Sequence, residues 1–169
     1  MNAESQDIYD EQCDVSTNQK ESSMPLLSVL YRLAIALWVG GASLFTFVLT
    51  PLIFKSYSRD QAGGIVGHLF PAYFRWGIAC GALALVTRLL LKGSEGVAAT
   101  VILAVLLCVT SFQAFYIEPR ATALKKEIPS FETTPKDHPA RKEFSKLHGI
   151  SAICNLTVIA GGVALIVLP

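Results

Sequence analysis

The chain has 169 residues, of which 52% are hydrophobic and 16% charged, with a formal net charge of +1. Soluble domains carry about one quarter charged residues, so this composition excludes an ordinary soluble protein and points to a single domain in a membrane. The near-neutral charge balance provides no field that would attract nucleic acid, and no nucleic-acid partner is expected.

Residues 1–24 are polar and acidic, with six carboxylates (Glu4, Asp7, Asp10, Glu11, Asp14, Glu21) against the single Lys20. A secretory signal would open with basic residues and an apolar core, and this stretch has neither. Such a composition cannot bury enough apolar surface to offset the entropy of ordering, so a disordered tail is expected. The remainder, residues 25–169, reads as an all-α bundle of four transmembrane helices.

The first helix is expected over about residues 26–54. Leu33 to Phe54 carries no charge, and its 22 residues span roughly 33 Å as a helix, enough to cross a bilayer. Arg32 at its entry can snorkel to the surface. Ala36 and Gly40 lie four apart, a spacing of small residues that lets another helix approach closely. Pro51 marks a kink or an end. A short polar link, 55–64, follows.

The second helix is expected over about 65–91, and it is the one segment with arginines deep within it. Only 12 uncharged residues separate Arg75 from Arg88, roughly 18 Å of helix. Either both arginines snorkel, or one is held inside the bundle by a partner. At 100° per residue, Gly77, Gly81, Ala84 and Arg88 share one face, with His68 and Arg75 on a nearly opposite one. Pro71 sits in a first turn or kinks a longer helix. Gly77 and Gly81, like Ala36 and Gly40, are candidate helix-packing positions, and these small faces offer a surface to a second copy or to another membrane protein.

After a turn at 92–96, the third helix is expected over 97–117, followed by a polar loop, 118–146, with seven basic and five acidic residues. The fourth helix is expected over 148–168, where His148, Ser151 and Asn155 fall on one face. With four crossings, links 55–64 and 118–146 share a side and carry nine basic residues between them. Basic residues favour the cytosolic side, so both termini are expected to face away from the cytosol.

In this topology His68, Arg75, Glu118, His148 and Asn155 form a candidate polar cluster near one membrane face. An Arg75–Glu118 pair would lower the desolvation cost of both groups. The alternative is a set of interfacial anchors wetted by headgroups and water. Two histidines near one surface raise a haem or metal reading. No paired histidines and no haem-attachment motif support it, so neither a metal nor another cofactor is expected. The four cysteines (Cys13, Cys80, Cys108, Cys154) are scattered, and the three in apolar segments read as small hydrophobes. No nucleophile–base pair, phosphate loop or zinc signature appears, so no catalytic activity is expected.

Leu30-Tyr31-Arg32, Trp38-Val39-Gly40-Gly41, Leu69-Phe70-Pro71-Ala72-Tyr73-Phe74, Glu118-Pro119-Arg120-Ala121-Thr122 and His148-Gly149-Ile150-Ser151 with Cys154-Asn155-Leu156 occur in that order. Together they resemble the transmembrane protein 205-like family over about residues 26–168. The resemblance implies a four-helix membrane domain without an established activity, cofactor or ligand, and it supplies no catalytic residue. A role assisting membrane transport, trafficking or organisation is the leading expectation. A metal- or haem-dependent redox or transport protein using His68, His148 and the intramembrane cysteines, and a small-solute or drug carrier using Arg75 and Glu118, are the alternatives.

Overall fold

The computed structural model describes residues 24–91 and 97–167. The acidic tail, apart from Met24, and the turn at 92–96 lie outside the described residues. Four helices account for most of the rest: α1 Met24–Ser56, α2 Arg59–Leu90, α3 Val97–Glu127 and α4 Pro139–Val167. Each is long and apolar enough to cross a membrane. Large apolar side chains stand exposed on all four, among them Leu33, Phe47, Val86, Val105 and Ile153. That apolar exterior fits hydrocarbon rather than water.

The helices run past their uncharged stretches. α2 starts at Arg59, not near residue 65, because Ser58 and Gln61 form a reciprocal capping box. The loop expected over 118–146 is mostly helical: α3 continues to Glu127, α4 begins at Pro139, and only 128–138 connects them. The lipid-averse residues there are simply the helix ends that project beyond the hydrocarbon. An uncharged run measures the crossing, whereas capping decides where the helix stops.

Pro71 lies inside α2, thirteen residues in, and does not end it. Two further prolines, Pro51 and Pro119, each follow a π-helical turn. Leu44–Leu49 precedes Pro51, and Gln113–Ile117 precedes Pro119. Thr50 N–H donates to the Phe45 carbonyl and Glu118 N–H to the Gln113 carbonyl, both five residues back. Proline lacks the N–H that continues a ladder and its ring crowds the preceding turn, which widening relieves.

The helices close into a ring in chain order. The Trp38 indole of α1 lies along Gly77 and Gly81 of α2. Those glycines also face Thr110 and Leu107 of α3. Leu106 of α3 packs on Gly161 of α4, and Val39 of α1 on Gly162. Ala34, Ile35, Ala84, Leu103 and Val158 complete the core.

Gly77 and Gly81 therefore sit where helices meet. Ala36 and Gly40 do not: both are exposed, and a Cβ on Gly40 would meet nothing within 4 Å. Trp38 and Val39 turn the opposite face of α1 inward, so the small pair points away from the bundle.

Candidate ligand cavity at the basic end of the bundle

A cavity of about 250 Å³ opens where the start of α2, the end of α3 and the start of α4 come together. Phe70, Phe74 and Ile117 form its apolar floor, and Arg59, Lys125 and Arg141 stand around its outer end. Glu118, Thr122 and His148 complete its polar wall, and Ser151 lies at its inner end.

Lys125 reaches across from α3 to α2. Its Nζ lies 3.6 Å from where a Cβ would stand on both Gly63 and Gly67. The two glycines, one turn apart, bare the α2 backbone so that the lysine can lie against it. Pro71 supplies no N–H to the carbonyl of Gly67, a residue of the same wall. Lys125 lies eight residues past Ile117, where the uncharged run of α3 ends, outside the hydrocarbon-crossing stretch. Burial lowers its pKa, against the opposing pull of Asp60.

The link 128–138 is fastened over this end by Asp60. The carboxylate accepts a hydrogen bond from Ser130 Oγ at 2.6 Å and another from the Phe131 N–H at 2.6 Å. These bonds hold the Asp60 pKa below the usual carboxylate range, with smaller help from Lys125 and Arg141. Glu132 accepts from the Arg59 N–H at 3.2 Å. Phe131 packs on Phe144, and the Arg141 guanidinium lies 5.9 Å from the Phe131 ring centre while donating to the Thr134 carbonyl. Asp60→Ala removes both acceptors, and the Phe131 amide is expected to exchange its hydrogen roughly tenfold faster. Hydrogen-exchange mass spectrometry of peptides covering 128–138 reads this directly. Unchanged protection would mean that aromatic packing alone holds the link.

Below the cavity lie two polar groups inside the bundle. Asn155 of α4 accepts a hydrogen bond from the Tyr73 hydroxyl of α2 and donates through Nδ2 to Thr46 Oγ1 of α1 at 2.6 Å. Phe45 stacks on the Tyr73 ring at 4.5 Å. Beside them, Ser151 Oγ donates to Gln113 Oε1 at 3.0 Å. Gln113 is 1% exposed, and its Nε2 has no partner among the described residues. Thr46 and Gln113 both lie in the π-helical turns.

The five expected cluster residues separate into three places. Glu118 and His148 line the cavity; Glu118 accepts from Thr122 Oγ1 at 3.0 Å, and the His148 ring lies parallel to Phe144. Asn155 lies deeper, in the interhelical network. His68 and Arg75 are exposed on the outer face of α2, each bonded to a carbonyl of its own helix, Gly64 and Pro71 respectively. The Arg75–Glu118 pair is absent among the described residues, because the Arg75 face of α2 points out of the bundle. Of the other buried-arginine candidates, Arg88 sits 6.0 Å from the Tyr31 ring centre. Among the described residues no three His, Cys, Asp or Glu side chains converge as a metal-ligand group.

Lys125, Arg59, Arg141, Tyr73, Thr46 and Gln113 were not singled out by the sequence. Two signals bear on them: the Gly63–Gly67 pair one turn apart, and polar residues just ahead of Pro51 and Pro119.

Residues 33–130 match the domain of unknown function DUF4149. The chain belongs to the DUF4149 family. It is also 32% identical over 132 residues to an uncharacterized protein of Aquifex aeolicus (strain VF5), covering 76% of this chain and 87% of that protein. No solved structure matches the chain. Within the cavity, the DUF4149 match takes in the α2 wall and the α3 wall with Lys125, and it stops short of Arg141, His148 and Ser151 on α4.

Proposed function

We propose that this DUF4149 protein is a transmembrane protein 205-like, non-enzymatic integral membrane protein that holds a small molecule in the cavity and assists its transport. The observation that carries this reading is the position of the cavity. Its floor lies within the apolar span, and its outer end is ringed by charged residues beyond it. A site that straddles that boundary can take a solute from hydrocarbon and present it to water, or the reverse. The basic residues at this end favour the cytosolic side for the cavity mouth, with both termini on the other.

The test is recovery of a bound molecule. The full chain is purified from native membranes into phosphatidylcholine nanodiscs and its small-molecule content read by mass spectrometry. At least one compound is expected with the unaltered chain and lost in Ala121→Trp, which fills the cavity from the α3 wall. The same compounds in the same amounts from both forms would sink the reading.

A further inference from the structure

Resting on that reading of the cavity, we propose that its ligand is a single-chain amphiphile with an anionic head. The head lies against Lys125, Arg59 and Arg141, and the chain runs inward over Phe70, Phe74 and Ile117.

Charge sets the sign of the head. Three cationic side chains border the cavity, and Glu118 is the one carboxylate on its wall among the described residues. Glu118 is engaged by Thr122, and the nearby Asp60 is engaged by Ser130 and Phe131. The Lys125 ammonium makes no hydrogen bond or ion pair among the described residues, with Asp60 as its electrostatic neighbour. The Arg59 guanidinium likewise makes none there, since the bond to Glu132 uses its backbone N–H. An ammonium laid on a glycine-bared helix wall without a bonded partner is a seat for an anion, because a charge-assisted bond would offset its desolvation.

Shape sets the rest of the ligand. Lys125 stands eight residues beyond Ile117 on α3, and Arg141 ten residues before Ser151 on α4. A head at the cations therefore has roughly 12–15 Å of wall beneath it. Apart from Glu118, Thr122 and His148, that wall is mostly aromatic and aliphatic down to Ser151. A free anion would leave this apolar depth empty. A two-chain lipid exceeds about 250 Å³, which lies just under the usual range for small-ligand sites.

The experiment uses the full chain in neutral micelles and native mass spectrometry to count bound molecules. The probes are dodecyl phosphate, dodecyltrimethylammonium, dilauroyl phosphatidate and inorganic phosphate. Dodecyl phosphate is expected to bind once per chain, about tenfold or more weaker in Lys125→Met, and to be retained in Lys125→Arg. Ala121→Trp should abolish it, with Gly67→Leu as the second blocking variant if the first loses helicity. Equal binding of dodecyltrimethylammonium, blocked by those variants, would overturn the anionic head while leaving the cavity reading intact. Inorganic phosphate or phosphatidate binding as tightly as dodecyl phosphate would overturn the single-chain assignment. Equal losses in Lys125→Met and Lys125→Arg would overturn the role of charge. Probe binding that neither blocking variant alters would remove the cavity reading itself.

Discussion

Replacing Gly81 is expected to damage the bundle more than any other single glycine change between α1 and α2. A Cβ there would stand 2.7 Å from Trp38 Cη2, 2.8 Å from Cζ3 and 3.0 Å from Leu107 Cδ1. Two of those atoms belong to a rigid indole that is 4% exposed and pressed between α1 and α2. A rigid, buried ring gives less readily than the end of a flexible side chain, so the helices themselves must shift. Overpacking of a close-packed interior costs about 1–3 kcal/mol for a methyl-sized insertion. Gly81→Ala is expected in that range, and Gly81→Leu beyond it, with loss of assembled protein in detergent. Gly40 provides the control. A side chain there meets nothing within 4 Å, so Gly40→Ala and Gly40→Leu should leave the thermal transition within a degree or two of the unaltered chain. Melting curves followed by circular dichroism in one detergent separate the two positions. A Gly81→Leu chain melting with the unaltered one would mean that Trp38 does not pack as described.

The same two glycine pairs mark what a linear reading can reach. Uncharged runs reported three of the crossings, and a mostly apolar stretch holding Arg75 and Arg88 the fourth, because a helix through hydrocarbon must be predominantly apolar over that length. The shared face of Gly77 and Gly81 was legible for the same periodic reason. Spacing alone could not say which face of α1 turns inward. Ala36 and Gly40 satisfy the small-residue pattern equally well, yet Trp38 between them needs the interior, and a helix has room for only one answer. Helix ends were misplaced because charge was taken as a loop signal, whereas the Ser58–Gln61 cap and Pro139 govern the chain there. The π-helical turns left no periodic trace, since a widened turn shifts the register by one residue and hides Thr46 and Gln113 from a 100° count. Glu118 and His148 were legible as groups near one membrane face, but the basic side of the cavity was not. Lys125 belongs with Gly63 and Gly67 only after α3 has folded back across the membrane, and no pairing rule links residues that far apart in sequence.

Breaking the Tyr73–Asn155–Thr46 chain is the second large effect expected. It ties three helices at one level, with Tyr73 donating to Asn155 and Asn155 donating to Thr46. Polar bonds between helices in a membrane average about 0.6 kcal/mol and reach about 1.7, and an orphaned buried partner adds its own desolvation cost. Tyr73→Phe leaves the Asn155 carbonyl oxygen without its donor while preserving the stack on Phe45, so it isolates the hydrogen bond from the ring packing. Asn155→Leu removes the hub and leaves both hydroxyls unpaired, and should cost more, roughly 2–3 kcal/mol. The double variant is the informative one. With Tyr73→Phe and Asn155→Leu together, neither side of that bond is left polar, so the loss should fall short of the two single losses added. Thr46 can return its hydroxyl to its own helix, as Thr110 does to Leu106, and this caps the remaining penalty. Stabilities measured by detergent-mixture unfolding give all three values. Strict additivity would mean that the two side chains act independently, and that α2 and α4 are held by apolar packing rather than by this contact.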